Sequence, residues 1–296
     1  MKEYYDVIII GAGIAGMTAA IYLKRSGLNP LMIEENAPGG QLNKINMIEN
    51  YPGFIKTDGP TLAAEIFSQV RNLDIDFLFD KVISTDLKKE EKQIITGGTT
   101  LYCKYVVIAT GRLSKKLFSN DDRYIGKGIS YCALCDGNLY KNKKVTVVGG
   151  GNSALEEALY LSEICDEVTL IARGNNFKGE KSLIERVLEK NNIKCMYNSS
   201  VTEYNIENNK LVSIKLDNNK IVETDGLFIS IGSVPSADIF DVKKDKGFII
   251  VNNECMTNIE NVYACGDVIK KNVYQLTTAA ADGTIVANSI IKKNKK

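Results

Sequence analysis

The feature that most constrains this chain of 296 residues is a pattern that occurs twice. Asp6-Val7-Ile8-Ile9-Ile10 is an apolar run suited to a buried parallel strand. Gly11-Ala12-Gly13-Ile14-Ala15-Gly16 follows it, then a periodic helix reaching about Ser26, then a second strand, Leu31-Met32-Ile33-Glu34. In such a βαβ unit the first glycine permits the tight turn. The second lets backbone approach a pyrophosphate, and the third allows close helix–strand packing. Glu34, at the end of the second strand, is placed to accept a hydrogen bond from a ribose hydroxyl.

The pattern restarts at residues 144–148, Lys-Val-Thr-Val-Val. Gly149-Gly150-Gly151-Asn152-Ser153-Ala154 and a helix to about Ser162 follow, then Val168-Thr169-Leu170-Ile171. Each half has a matching late strand, Tyr105-Val106-Val107-Ile108-Ala109-Thr110-Gly111 and Leu227-Phe228-Ile229-Ser230-Ile231-Gly232. Tyr263-Ala264-Cys265-Gly266-Asp267 reads as a strand end that completes the first half. The expected fold is α/β, with two Rossmann-like, three-layer ββα dinucleotide-binding domains, the second inserted in the first. The first spans 1–114 and 243–296, the second 115–242.

Composition fits two domains, with 44% hydrophobic residues and a net charge of +1 that suggests no nucleic-acid partner. No apolar run is long enough for a membrane span, and the N-terminus enters a strand without a signal-peptide stretch. A cytoplasmic location is expected. The Lys-rich tail 292–296 reads as a solvated, frayed end. There is no histidine, so any general acid or base must be Asp, Glu, Lys, Tyr, Cys or water.

Cys132 and Cys135 form a Cys-x-x-Cys pair just before the second fingerprint. Such a pair can close and reopen a small disulfide. A zinc half-site would need two more ligands at motif spacing, and no second close cysteine pair or histidine supplies them. Asp136, next to Cys135, is the natural proton partner, or else a plain cap or turn residue. The remaining five cysteines read as buried, inert thiols.

Along nearly its whole length the chain resembles the low-molecular-weight thioredoxin reductases. The resemblance rests on Pro38-Gly39-Gly40-Gln41-Leu42, Glu49-Asn50-Tyr51-Pro52-Gly53, Ala109-Thr110-Gly111, Cys132-Ala133-Leu134-Cys135-Asp136, Gly149 to Glu157, and Gly266-Asp267. It implies a homodimeric flavoprotein. FAD would lie on the first fingerprint, against Gly11, Gly13, Ala15, Gly16, Glu34, Gly40, Gln41, Asn50, Ala109, Thr110, Gly111, Gly266, Asp267, Gln275, Leu276 and Thr277. NADPH would lie on the second, against Gly149, Gly151, Asn152, Ser153, Ala154, Arg173 and Lys178. No metal is implied. Electrons would pass from the donor to FAD, to the Cys132–Cys135 disulfide and to thioredoxin. Cys135 would face the flavin and Cys132 would attack the partner, with hinges near 113–118 and 240–246.

Two departures stand out. Gly174 occupies a place where the family carries a phosphate-gripping arginine, leaving Arg173 and Lys178. Tyr274 replaces an arginine before Gln275, and either packs on the flavin or adenine or is drift. Amides near Ala279–Ala280 could still polarise the flavin. The first departure keeps open a ferredoxin-dependent reductase with a degenerate NADPH site. A flavoprotein with a sensing or structural cysteine pair, and a small-molecule dithiol oxidase, are further alternatives.

Overall fold

The computed structural model describes residues 4–45 and 48–295. Met1–Glu3 and Lys296, the two chain ends considered above, lie outside them. The chain opens with β1 (Tyr4–Ile10), α1 (Ile14–Arg25) and β2 (Pro30–Glu34). Next comes α2 (Gly59–Asn72), whose cap Asp58 accepts a hydrogen bond from the Thr61 amide at 2.7 Å. Then follow β3 (Asp76–Phe79), β4 (Val82–Asp86), β5 (Lys92–Thr96), β6 (Thr100–Ile108) and the short β7 (Arg112–Ser114).

The next stretch holds β8 (Ile129–Ser130), a four-residue helix α3 (Ala133–Asp136), β9 (Lys144–Val148), α4 (Asn152–Ser162) and β10 (Glu167–Ile171). It continues with α5 (Lys181–Leu188), β11 (Ile193–Met196), β12 (Val201–Glu207), β13 (Lys210–Leu216), β14 (Ile221–Glu223) and β15 (Gly226–Ile229). The chain ends with β16 (Ser233–Pro235), β17 (Lys244–Asp245), β18 (Phe248–Ile249), β19 (Val262–Ala264) and α6 (Leu276–Asn294).

Two compact units result. One comprises Met1–Lys44, Tyr51–Leu113 and Val234–Lys296; the other Ile45–Asn50 and Ser114–Ser233. Sequence reading places the return at 243, whereas the first unit resumes at Val234. The reason is apolar burial in irregular backbone. Ala237, Phe240 and Val242 join the core beneath β1 and β6, with Ile8, Ile10, Val106 and Ile108.

In the first unit, β3-β2-β1-β6 and β19 run parallel, and β5 and β4 extend the sheet antiparallel. Val7 and Ile9 face away from the Ile8–Ile10 core and are fully buried. In the second unit the order is β11-β10-β9-β15-β8, all parallel. Val145 and Val147 pack on α4, while Val148 packs with Ile214 and Leu216 of the antiparallel β12-β13-β14 sheet. These are the three layers, helix on sheet on sheet.

Helix α6 runs to Asn294, so most of the tail expected to fray is helical, though exposed. Helix α6 packs on α1 through Gly283, where an added Cβ would lie 2.3 Å from the Ala15 carbonyl oxygen. Gly283→Ala should therefore lower the melting temperature, at a cost of about 1–3 kcal/mol from overpacking. Helix propensity alone would favour alanine by about 1 kcal/mol, so the sign of the change tests the contact.

Candidate functional site

The two glycine loops share one geometry. Gly11 N–H donates to the Ile33 carbonyl at 2.8 Å, and Gly149 N–H donates to the Ile171 carbonyl at 2.9 Å. A Cβ on Gly11 would meet the Ala109 carbonyl oxygen at 2.4 Å; one on Gly149 would meet the Ser230 carbonyl oxygen at 2.2 Å. A side chain at either place would push the loop off its neighbouring strand. Gly13 and Gly151, by contrast, face open space. That is the cradle a pyrophosphate at a helix N-terminus requires.

Around the first loop, Glu34 accepts from the Ala12 amide at 2.9 Å and from the Asn36 amide at 3.0 Å, which fixes its carboxylate. Gly39 N–H donates to the Ala12 carbonyl at 2.8 Å and brings Gly40 against Gly13 of the loop. A Cβ on Gly266 would lie 2.8 Å from the Ala15 Cβ, so the Gly266–Asp267 turn sits on α1. Asp267 Oδ1 is buried and has no hydrogen-bond partner among the described residues. A buried acceptor that takes no hydrogen bond, with only the Lys271 ammonium 3.4 Å away, fits the hydroxyl-rich chain of FAD beside a glycine cradle. Asn50 is exposed and belongs to the short stretch Ile45–Asn50 of the second unit.

Arg112 escaped the sequence reading. Its Nε lies 3.3 Å from Asp267 Oδ2, its guanidinium covers the Tyr274 ring at 4.1 Å, and its backbone carbonyl accepts from Gln41 Nε2 at 2.8 Å. Tyr274 thus holds a cation where an arginine was expected. Lys271 bridges Asp267 at 3.4 Å and Asp282 at 2.7 Å. The expected amides at Ala279–Ala280 require correction. Ala279 N–H donates to the Gln275 carbonyl at 3.0 Å, inside the helix. A capping box between Gln275 and Thr278 starts α6 one turn earlier, so its N-terminal end is at Leu276–Thr277.

At the second loop, Ala154 is fully buried under the glycines. Ser153 is exposed, and Asn152 is tied to Glu180 by two hydrogen bonds of 3.0 and 2.8 Å. The Lys178 amide donates to the Gly150 carbonyl at 2.6 Å, folding the strand-end loop back over the glycines. Arg173 and Lys178 are both exposed there.

Cys132 and Cys135 form a disulfide, with an S–S distance of 2.11 Å. Cys132 caps α3, and the Cys135 amide donates to its Sγ at 3.2 Å. Asp136 is 5% exposed; burial raises its pKa above the ordinary aspartate value, opposed by a hydrogen bond from Ser130. Ser130, also missed, donates to Asp136 Oδ2 at 2.7 Å. Asp136 Oδ1 is buried and unpartnered among the described residues.

Burial pushes the Cys103 and Cys255 thiols up to about 12 and Cys165 to about 11, and raises Cys195 and Cys265 as well. Such thiols are poor nucleophiles at neutral pH. Native alkylation at neutral pH should therefore label two cysteines rapidly after mild reduction and essentially none before it, as read by intact mass.

Two nucleotide-binding units, one bearing a cystine beside a buried carboxylate, define a disulfide oxidoreductase. A family model described as pyridine nucleotide-disulphide oxidoreductase matches residues 5–283. A thioredoxin reductase of Ureaplasma parvum is 39% identical over 97% of this chain and 96% of its own length. That of Bacillus subtilis is 36% identical over 98% and 94%. The crystal structure of thioredoxin reductase from Streptococcus pyogenes superposes with a TM-score of 0.91 at 31% identity, covering 100% of this chain and 99% of that one. The chain belongs to the pyridine nucleotide-disulphide oxidoreductase family, among its thioredoxin reductases.

Proposed function

We propose that the protein is a thioredoxin–disulfide reductase that holds FAD on its first unit and takes electrons from a nicotinamide donor bound on its second. The observation that carries this reading is the Cys132–Cys135 disulfide, set against a buried carboxylate in a unit with its own dinucleotide loop. FAD, when bound, supplies a two-electron carrier between nicotinamide and disulfide. Gly13, Glu34 and Asp267 would hold its pyrophosphate, ribose and ribityl chain.

Two electrons break the 132–135 bond. Asp136 gives its proton to Cys132 Sγ, and Cys135 is left as a thiolate. Asp136 then takes that proton back. The Cys132 thiolate attacks the thioredoxin disulfide, forming a mixed disulfide and releasing one partner thiolate. The Cys135 thiolate attacks Cys132 Sγ, re-forms the 132–135 bond and releases the second partner thiolate. Both thiolates take protons from water. The Cys135 amide at Cys132 Sγ favours a thiolate on Cys132, which supports its role as attacker.

The names of the relatives favour thioredoxin over a small-molecule dithiol, and the family description favours a pyridine nucleotide over ferredoxin. No helix among the described residues is long and apolar enough to cross a membrane. The decisive experiment adds thioredoxin disulfide to the FAD-loaded protein with NADPH and follows nicotinamide oxidation. Turnover dependent on both supports the reading; none with NADPH or NADH, and turnover with reduced ferredoxin, would replace the donor.

A further inference from the structure

Ser130 ends β8, is 1% exposed, and pairs with Phe228 of β15, so its position is fixed by the sheet. Its hydroxyl has one hydrogen and two acceptors in reach, Asp136 Oδ2 at 2.7 Å and the Cys132 carbonyl at 3.3 Å. Its oxygen accepts from the Cys132 amide at 3.1 Å. The same Cys132 carbonyl is the first acceptor of α3, taking the Cys135 and Asp136 amides at 3.2 and 3.1 Å. One buried hydroxyl therefore links the carboxylate to both backbone groups of Cys132.

We infer that Ser130 is the positioning residue of the proton-exchanging carboxylate, turning its hydroxyl between Asp136 and the Cys132 carbonyl as Asp136 loses and gains its proton. The inference rests on the reading that Asp136 exchanges the dithiol proton. When Asp136 is ionised, the short O–H···O⁻ bond is the stronger and holds the hydroxyl. When Asp136 is protonated, its own O–H can donate to Ser130 Oγ, and the hydroxyl hydrogen then turns to the Cys132 carbonyl. Asp136 Oδ2 keeps a partner in both states of the acid without moving the backbone. The carbonyl that starts α3 gains a third hydrogen bond only in the protonated state.

The surroundings leave this role to Ser130. Among the described residues, what opposes the burial of Asp136 is the Ser130 hydrogen bond, with no lysine or arginine beside it. Among the described residues, Tyr140 is the titratable group that feels the Asp136 charge. Burial, with Asp136 and Asp225 adding to it, pushes the Tyr140 hydroxyl up to about 12, so it stays neutral. From α4, Tyr160 covers the adjoining Gly137.

The test uses the FAD-loaded protein with Ser130→Ala, Ser130→Thr and Asp136→Asn. The infrared C=O stretch of the protonated carboxyl, assigned by its loss in Asp136→Asn, is followed against pH. Thiol–disulfide exchange of the pre-reduced protein with a small aromatic disulfide is followed in parallel. In Ser130→Ala the protonated band should persist to higher pH, because the ionised form has lost its donor. The acid limb of exchange should move up with it, slowing exchange about tenfold on that side, the scale of one hydrogen bond to a charged group. Ser130→Thr should restore both.

A band and acid limb unmoved in Ser130→Ala would overturn the inference while leaving the Asp136 reading intact. An acid limb unchanged in Asp136→Asn would instead overturn the Asp136 reading. Should Ser130→Ala fail to fold, Ser130→Thr against Ser130→Val, which differ only by the hydroxyl, decide the matter in the same way.

Discussion

Cys132→Ser should abolish reduction of thioredoxin, lowering turnover by at least about a thousandfold, the scale seen when a nucleophile is removed from a concerted set. A serine hydroxyl cannot form or exchange a disulfide, so neither half of the relay survives. Cys135→Ser should be just as inactive overall, yet fail differently. Its Cys132 can still attack, but nothing remains to resolve the mixed disulfide. Thioredoxin mixed with thiol-reduced Cys135→Ser protein should be captured as a covalent adduct on a non-reducing gel, released by dithiothreitol. Cys132→Ser should give no adduct. The reverse pattern would exchange the roles of the two sulfurs. Thioredoxin reduction persisting in either variant would reduce the pair to a structural or sensing bond.

Those roles could not be read from exposure, since Cys132 and Cys135 are both half-buried. What separates them within their own unit is the amide of Cys135 aimed at Cys132 Sγ. The spacing of the pair shows that a disulfide can form, but it says nothing about which sulfur a backbone donor favours. The same limit appears elsewhere. The βαβ units were legible because a buried parallel strand is a continuous apolar run and the glycine loop follows it directly, as at Ile8-Ile9-Ile10-Gly11. The antiparallel β12-β13-β14 sheet has no such signature; β12 reads Val-Thr-Glu-Tyr-Asn-Ile-Glu, and all but Val201 are exposed or half-buried. Its place is set by Ile214 and Leu216, which pack on Val148, Ile171 and Leu227 of the parallel sheet. Ser130 went unseen because its strand has two residues and its meaning lies in a hydroxyl six positions before its partner. Arg112 went unseen because a guanidinium on Tyr274, far along the chain, is a product of folding.

Gly174→Arg should raise the preference for NADPH over NADH by roughly 10- to 100-fold, through a forked, charge-assisted contact worth about 1.5–3 kcal/mol. The loop after β10 presents Arg173 and Lys178 to solvent, so some attraction for a phosphate is already present. A lysine offers a point charge, whereas an arginine matches two phosphate oxygens at once. The loop can accept the change. A Cβ at Gly174 meets only the Asn176 carbonyl oxygen, at 3.6 Å, which is ordinary contact. The loop's backbone is also held independently of the 174 side chain, by the Asn198 amide on the Gly174 carbonyl at 2.9 Å and by Lys178 on Gly150. The measurement is kcat/KM for each nucleotide in the thioredoxin assay, with Gly174→Gln as the neutral control. A gain confined to NADPH places the ribose phosphate at this loop. Equal gains for both nucleotides would mean that the new charge acts on the shared pyrophosphate instead. No gain for either would place the adenosine end away from this loop.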